Sequence, residues 1–253
     1  MTTGLLITFE GCDGLGKSRQ VAKLANVLES RGHRVHFTKE PGTGKAGYGS
    51  PLGPSVREAV FHLENSGRTL PAGAQQLYLL VDHIDNVSRL KPHLQAGKTV
   101  VCDRYSDSAF AYAAVYDPPT SVSILDLWRQ YRGPMPDITV LLVAKGKLVH
   151  DGAGGAYEDI GWALDRARKR LGPEAGKQGG KAWNDYRAQR LVQRTYLTLL
   201  ADEPRTVLVP VIESDTESHV HRRVLAAIEA RLKKQLGRSS AAHDSTDMLP
   251  VVL

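Results

Sequence analysis

Residues 5–20, which read LLITFEGCDGLGKSRQ, decide the fold of this chain. A short apolar run ends in a glycine-rich turn, and a stretch compatible with a helix follows. The turn fits the phosphate-binding pattern G-x-x-x-x-G-K-[ST] without a mismatch. It consists of Gly11, Cys12, Asp13, Gly14, Leu15, Gly16, Lys17 and Ser18. Because the pattern stands between a predicted strand and a predicted helix, we expect it to bind a nucleoside triphosphate.

Each part of this phosphate loop has a physical role. The glycines allow consecutive backbone N–H groups to turn inward around an anion, and the following helix directs the positive end of its dipole at the same point. Lys17 supplies a mobile positive charge for the β- and γ-phosphates, and Ser18 offers its hydroxyl to Mg²⁺. The alternative is a glycine-rich turn that binds no ligand.

The composition limits the classes of protein to which the chain can belong. Its 253 residues are 42% apolar and 24% charged, as in ordinary globular proteins. Cys12 and Cys102 are the only cysteines, which argues against a disulfide framework and for a reducing cytoplasm. The net charge of +6 comes from basic residues interspersed with acidic ones, so we expect it to serve phosphate ligands rather than nucleic acid. We find no membrane-spanning or signal segment in the sequence.

Five short apolar runs, separated by helical patterns, predict the fold class. They span residues 5–9, 35–38, 99–102, 138–143 and 206–212. Strands that alternate with helices form a parallel sheet covered on both faces. We therefore expect an α/β protein with the P-loop NTPase fold. This fold has three layers, α/β/α, and a five-stranded parallel sheet forms the middle layer. It would form one domain over residues 1–236, with a flexible tail over residues 237–253.

Two segments that follow predicted strands are candidates for ligand binding. The loop 39–44 carries Glu40, and Arg57 lies in a helix expected from residue 55. Asp103 ends the third strand, a position typical of a second Mg²⁺ contact made through water. Solvation of Glu40 and Arg57 without a ligand is the open alternative.

A long helix is predicted over residues 75–89. Its apolar face consists of Leu77, Leu80, Val81, Ile84 and Val87. The polar residues Asp82 and His83 fall outside that face, and a histidine in such a place is more typical of the surface than of a ligand.

A basic segment with glycine clusters covers residues 145–181. Its basic residues within or between the clusters are Arg166, Arg168, Lys169, Arg170, Lys177 and Lys181. A basic hairpin with glycine hinges predicts a lid that closes over phosphates. A solvated charged helix is an equally open alternative.

Together these motifs resemble those of nucleoside monophosphate kinases, and of the thymidylate kinase family in particular. The resemblance is carried, in order, by Phe9-Glu10-Gly11 with the phosphate loop, Glu40-Pro41-Gly42, Leu52-Gly53 with Arg57, Asp103-Arg104-Tyr105, Ser108 with Ala111-Tyr112, and Pro136-Asp137. The matches cover residues 5–143. They imply an enzyme that uses ATP and Mg²⁺ to phosphorylate the phosphate of a nucleotide, and that forms a homodimer through helices such as 55–63 and 75–89.

The resemblance also implies roles for individual side chains. Lys17 and the lid arginines would serve the donor, and Arg19 would reach back to its phosphates. Arg57 and Arg104 would hold the acceptor phosphate with bidentate contacts. Ser18 and Asp103 would position Mg²⁺. Further acceptor contacts are expected from Glu40, Pro41 and Ser108, from Asp13 near the sugar 3′-hydroxyl, and from Tyr112, which would disfavour a ribose 2′-hydroxyl.

Two positions depart from the family pattern where the acceptor base is recognised. The family's helix carries an aromatic residue that stacks on the base and, four residues later, an arginine that hydrogen-bonds it. Here these positions hold Leu79 and His83. Leucine lacks a flat stacking surface, and histidine lacks the planar guanidinium fork. We therefore expect an acceptor other than thymidylate itself, either a modified pyrimidine nucleotide or another small molecule that carries a phosphate.

Two other functions stay open at this point. A kinase that phosphorylates a hydroxyl of a nucleoside or metabolite would need a carboxylate base, for which Glu10, Asp13 or Glu40 could serve. A non-kinase ATPase or switch protein is the second alternative, although the sequence has no guanine-binding Asn-Lys-x-Asp motif.

Overall fold

A parallel sheet forms the centre of the protein. The computed structural model describes residues 4–44, 48–62, 70–116, 121–150, 156–171 and 186–242. The strands are β1 (Leu6–Glu10), β2 (Val35–Lys39), β3 (Thr99–Asp103), β4 (Ile138–Lys145), β5 (Leu148–His150), β6 (Ala156–Glu158) and β7 (Thr206–Ile212). Five of them form one sheet in the order β2-β3-β1-β4-β7, and β5 pairs with β6. All pairs in the larger sheet are parallel, which confirms the five predicted strands.

The strand order places the candidate site at the centre of the sheet. Strand β1 lies between β3 and β4, with Phe9 level with Asp103 and with Val140. The chain changes its winding direction at β1, and ligands bind at the carboxyl end of such a switch point. The phosphate loop leaves β1 at that end, and Arg104 follows β3 beside it.

Helices surround the sheet. They are α1 (Lys17–Ser30), α2 (Gly53–Arg57), α3 (Ala72–Gln95), α4 (Ser106–Tyr116), α5 (Ser121–Tyr131), α6 (Gly161–Leu171), α7 (Tyr186–Leu200) and α8 (Glu217–Ala242), and a π-helical turn, Glu58–His62, continues α2. Helix α8 runs beyond residue 237, where we expected the flexible tail to begin, and residues 243–253 lie outside the described part. Among the described residues, no helix is both long and apolar enough to cross a bilayer.

The core occupies both faces of the sheet because side chains alternate along each strand. Ile7 of β1 belongs to the main apolar cluster, together with Leu24 of α1 and Val224 of α8. Leu6 belongs to a second cluster with Leu90 of α3. This arrangement is the three-layer architecture that the sequence predicts.

The segment predicted as a basic lid is partly a packed element. It contains the β5–β6 pair and α6, whereas residues 151–155 and 172–185, with Lys177, Lys181 and the glycine clusters, lie outside the described residues. Ile160 and Ala163 are buried in the main core. A Cβ built on Gly14 would lie 1.7 Å from the carbonyl oxygen of Ala163, so α6 packs directly against the phosphate loop. A closing movement of this segment stays a prediction.

Helix α3 buries a different face from the one predicted. Leu77, Val81 and Ile84 are 45%, 50% and 38% exposed, whereas Asp82 and His83 are buried. The other two residues of the predicted face are buried as expected, namely Leu80 and Val87. The expectation of an exposed His83 is therefore wrong. The reason is that the polar side chains of α3 hydrogen-bond the loop after β2, and these contacts determine which face turns inward.

Candidate active site

The phosphate loop has the backbone that its glycines permit. Gly14 and Gly16 have φ values of 81° and 85°, which are left-handed conformations that favour glycine, and α1 begins immediately afterwards at Lys17. Cys12 and Leu15 are buried and anchor the loop to the core. Burial raises the pKa of the Cys12 thiol to about 12, so this cysteine stays protonated and does not act as a nucleophile.

Lys17 and Asp13 face one another across this loop. The Lys17 ammonium donates to the carbonyl oxygens of Gly11 at 2.9 Å and Cys12 at 2.6 Å, and lies 3.8 Å from the Asp13 carboxylate. Burial and the positive charge of Arg104 lower the pKa of Lys17 to about 8. The partial burial of Asp13 opposes ionisation of its carboxyl group. The positive charges of Arg104 and Lys17 outweigh this effect and lower the pKa of Asp13 to about 2.

Arg104 lies at the junction between the phosphate loop and α4. Its NH2 donates to Asp13 at 2.6 Å and to the hydroxyl of Tyr112 at 3.2 Å. Its NH1 donates to Ser108 at 3.1 Å and to the hydroxyl of Tyr196 at 3.2 Å. The structure thus brings four of the predicted site residues together, and it adds Tyr196 of α7, which the sequence analysis missed.

The backbone at Arg104 is also unusual, with a φ of 70°. This left-handed conformation costs a residue other than glycine about 1–3 kcal/mol and is typical of functional sites. Two hydrogen bonds stabilise it. The N–H of Arg104 donates to the carbonyl of Phe9 at 3.0 Å, and its own carbonyl accepts from the Cys102 thiol at 2.9 Å.

The buried carboxyl group of Glu10 is hydrogen-bonded to several residues around Arg104. It accepts hydrogen bonds from the N–H of Tyr105 at 2.8 Å, the hydroxyl of Ser108 at 2.5 Å and the hydroxyl of Tyr196 at 3.1 Å. Burial, with a contribution from Asp107, raises the pKa of Glu10 to about 8. Because its oxygens are engaged by fixed donors, Glu10 orients the residues around Arg104 and is not placed as a general base.

Asp103 and Ser18 form the predicted metal pair. The Ser18 hydroxyl donates to Asp103 Oδ2, and the Lys39 ammonium contacts the same oxygen. Asp103 Oδ1 is buried and has no hydrogen-bond partner among the described residues. A hydroxyl oxygen and a carboxylate with a free oxygen suit Mg²⁺, which prefers hard oxygen ligands. Lys39 is a second residue that the sequence analysis did not assign, although it ends a strand level with Asp103.

The loop after β2 is fixed from two sides. Arg57 donates through Nε to the carbonyl of Gly42 at 3.0 Å and through NH2 to the carbonyl of Pro41 at 2.9 Å. The carboxylate of Asp82 accepts from the N–H of Gly42 at 3.1 and 3.2 Å. Arg57 therefore lies beside the predicted acceptor loop, and its guanidinium is hydrogen-bonded to the backbone of that loop.

His83 is part of a buried polar cluster on α3. Its Nδ1 lies 2.9 Å from both carboxylate oxygens of Glu40, and the side-chain amide of Asn86 donates to Glu40 at 2.7 Å. Burial opposes protonation of His83, but the charge of Glu40 and its hydrogen bond raise the pKa of the ring above its usual value. Because His83 is 0% exposed, the predicted contact with an acceptor is replaced by a contact with Glu40.

Three other predicted residues have surroundings that the sequence did not indicate. Leu79 is partly buried and packs against the cluster that contains Trp128. Arg19 pairs with Glu217 of α8, so its side chain does not reach back over the loop as predicted. Arg166 of the predicted lid donates to the carbonyl of Glu213 at 2.6 Å, and its guanidinium lies over the ring of Trp162.

Comparison with known proteins identifies the family. The family model described as Thymidylate kinase matches residues 9–149. The thymidylate kinase of Clavibacter sepedonicus is 33% identical over 241 residues, which cover 90% of this chain and 100% of that relative. The thymidylate kinase of Deinococcus radiodurans is 31% identical, with coverage of 91% and 99%.

Solved structures show the same fold. A thymidylate kinase from Candida albicans matches with a TM-score of 0.66 at 22% identity, over 90% of this chain and 92% of that chain. One from Ehrlichia chaffeensis matches with a TM-score of 0.60 at 23% identity, over 89% and 98%. The fold is thus that of the P-loop NTPases, and the relatives match over nearly their whole length. The chain belongs to the thymidylate kinase family and is an ATP-dependent nucleoside monophosphate kinase.

Proposed function

We propose that this kinase transfers the γ-phosphoryl group of ATP to the phosphate of a pyrimidine deoxynucleoside monophosphate. The observation that carries the proposal is the charge arrangement around Arg104, whose guanidinium joins the phosphate loop at Asp13 to α4 at Ser108. Lys17 lies on the donor side of this arrangement, and Arg57 follows the loop on the other side. The names of the relatives support a pyrimidine acceptor.

In this reaction the acceptor phosphate is already an anion near neutral pH, so the chain does not need a general base. The difficulty is to bring two polyanions together and to stabilise a loose transition state. Lys17 and the backbone N–H groups of the loop bind the donor phosphates. Arg57 and Arg104 bind the acceptor phosphate, and the hydrogen bonds from Arg104 to Ser108 and Tyr196 hold its guanidinium plane in place.

Ser18 and Asp103 are the residues that we expect to hold Mg²⁺. The ion would neutralise charge on the donor phosphates when bound. Within the described residues, there is no cluster of three or more His, Cys, Asp or Glu side chains that could hold a metal. The ion would therefore take its remaining ligands from phosphate and water, as is usual for Mg²⁺ in kinases.

The contacts that the protein makes with the sugar and the base of the acceptor determine which nucleotide it prefers. Tyr112 is fixed beside Arg104 by a hydrogen bond to its hydroxyl, and we expect its ring to disfavour a ribose 2′-hydroxyl. Leu79 packs against the Trp128 cluster and His83 against Glu40, so neither supplies the stacking surface or the guanidinium of the family pattern. We therefore expect thymidylate to be a poorer acceptor than another pyrimidine deoxynucleotide.

A coupled kinase assay tests this proposal with a panel of acceptors. The panel contains thymidylate, deoxyuridylate, deoxycytidylate, 5-substituted deoxypyrimidine nucleotides, the matching ribonucleotides and the unphosphorylated nucleosides. We expect turnover with a deoxynucleotide, weaker turnover with its ribonucleotide, and none with the nucleoside. Phosphorylation of a nucleoside hydroxyl, or ATP hydrolysis that no acceptor changes, would contradict the proposed reaction. Thymidylate as clearly the best acceptor would contradict the base preference alone.

We also propose that the kinase acts as a homodimer in the cytoplasm. The exposed apolar residues on α3, namely Leu77, Tyr78, Val81 and Ile84, form a stripe that a second copy of the chain would cover. Light scattering should give a dimer mass, and Val81→Glu should give a monomer. Leu191→Glu on α7, where Leu191 is 47% exposed, is the matched control and should stay dimeric.

The cytoplasmic location is supported by the two free, buried cysteines.

A further inference from the structure

Lys39 places an ammonium group against the two residues that we assign to Mg²⁺. It is level with Asp103 on the neighbouring strand, so both side chains leave the sheet side by side. Its Nζ contacts Asp103 Oδ2 and donates to the Ser18 hydroxyl oxygen at 3.1 Å. The Ser18 hydroxyl donates to the same carboxylate oxygen. One ammonium group thus engages both predicted metal ligands at once.

Burial makes this contact important for Asp103. The carboxylate is 1% exposed, whereas the Lys39 side chain that contacts it is 18% exposed. An ionised carboxylate in such a place needs a counter-charge. Burial raises the pKa of Asp103, but the charges of Lys39 and Lys17 and the hydrogen bonds to Lys39 and Ser18 outweigh it and keep the pKa below its usual value.

We propose that Lys39 is an exchangeable counter-ion, which neutralises Asp103 before the nucleotide binds and gives way to Mg²⁺ when the nucleotide phosphates arrive. The inference rests on the proposed Mg²⁺ site. Mg²⁺ requires oxygen ligands at about 2.0–2.1 Å, and the Lys39 ammonium already contacts Ser18 Oγ, so the two cations cannot share that oxygen without strong repulsion, whether Asp103 holds the ion directly or through water. Displacement of Lys39 from this pair of residues is therefore a condition for metal binding to Ser18.

The nucleotide changes the balance between the two cations. Free metal must displace Lys39 from a buried carboxylate and removes the ion pair that the ammonium makes there. A metal that binds with ATP brings polyphosphate oxygens next to the displaced ammonium, which then gains a new partner. Metal and nucleotide thus assist each other's binding, and Lys39 is the residue that couples them.

Binding of Mn²⁺, measured by electron paramagnetic resonance, tests this coupling directly. Wild-type protein should bind free Mn²⁺ weakly and should bind it more tightly, by about 5- to 150-fold, when a non-hydrolysable ATP analogue is present. The Lys39→Met variant should bind free Mn²⁺ more tightly than wild type and should gain less from the analogue. Lys39→Arg keeps a cation at this position and should behave like wild type.

Thermal unfolding provides a second readout that does not depend on turnover. Without metal, Lys39→Met should unfold at a lower temperature than wild type because Asp103 is left buried without its counter-charge. Mn²⁺ should restore the unfolding temperature of this variant and change that of wild type little. If Lys39→Met is too unstable to purify, the same variant with Asp103→Asn removes the buried charge. That double variant should fold and should bind Mn²⁺ no more tightly than wild type.

The possible results separate this inference from the metal site on which it rests. If Mn²⁺ binds to neither wild type nor Lys39→Met, even with the ATP analogue, the assignment of Ser18 and Asp103 is wrong and the inference falls with it. If Mn²⁺ binds in the presence of the analogue, but wild type and Lys39→Met have the same affinity without it, Lys39 is not the exchanging cation. Tighter Mn²⁺ binding by the double variant than by wild type would also overturn the inference.

Discussion

The proposed donor side and the proposed acceptor side of this kinase are built in different ways. On the donor side, residues 11–18 form one continuous stretch, and their geometry follows from a glycine turn that leads into α1. On the acceptor side, the carbonyl and N–H groups of Gly42 are held by Arg57, 15 residues away, and Asp82, 40 residues away. A local motif thus forms one half of the cleft, and side chains from distant segments form the other.

The largest expected effect comes from removing the charges that join the two halves. Lys17→Ala and Arg104→Ala should each lower kcat by about 10²- to 10³-fold, because each removes a positive group from the proposed phosphoryl-transfer site. Steady-state kinetics with saturating ATP measures the loss. Arg129→Ala removes a guanidinium from an exposed pair with Asp126 and serves as the matched control, with turnover close to wild type.

Circular dichroism should show that the Lys17→Ala and Arg104→Ala variants remain folded. Turnover near the wild-type value in both folded variants would mean that neither Lys17 nor Arg104 contributes to phosphoryl transfer. The proposal that Arg104 joins the donor half and the acceptor half of the site would then be wrong.

The same difference explains how much the sequence could predict. The phosphate loop, the five strands and the position of Asp103 follow from patterns a few residues long, and the structure has them where they were expected. The contact between His83 and Glu40 joins residues 43 positions apart, and periodicity along α3 contains no information about it. Three residues of the exposed stripe, Leu77, Val81 and Ile84, belong to the predicted apolar face for the same reason, since a hydrophobic pattern does not distinguish a buried face from one that another chain could cover.

The donor side should respond to pH through Lys17. Its pKa is lowered from 10.5 to about 8, so the ammonium loses its proton as the pH rises through that value. Because polyphosphate binds the protonated form, the affinity for ATP at pH 9 should be about tenfold weaker than at pH 7. Isothermal titration calorimetry across this range measures the decline.

Two variants identify the titrating group. Lys17→Arg keeps its charge throughout this range and should show no decline in ATP affinity up to pH 9. Glu10 also has a pKa of about 8, and Glu10→Gln should decline as wild type does if Lys17 is the source. A decline that disappears in Glu10→Gln and persists in Lys17→Arg would assign the effect to the carboxyl group.

A smaller effect is expected on the acceptor side from His83→Leu. The change removes one partner of the buried Glu40 carboxylate and leaves the bond from Asn86, at 2.7 Å. The free energy of unfolding should fall by about 1–3 kcal/mol, and the KM for the acceptor should rise about fivefold. The KM for ATP should stay the same, because the phosphate loop does not depend on this contact.

The matched control is His219→Leu on α8, where the histidine side chain is 47% exposed. In this variant the KM for ATP and the KM for the acceptor should both equal those of wild type. An equal rise in the KM for ATP and for the acceptor in His83→Leu would show that the two halves of the cleft are mechanically linked rather than separate.

The smallest expected effect is a gain from Leu79→Phe. An aromatic ring at this position, beside the Trp128 cluster, would offer a stacking surface to a pyrimidine base. Such contacts contribute about 0.5 kcal/mol or more, so the KM for thymidylate should fall about two- to threefold. Leu199→Phe adds the same ring to an exposed position of α7 and should leave the KM unchanged. If Leu79→Phe changes only stability, residue 79 does not face the base, and other residues of the acceptor side must set the preference among acceptors.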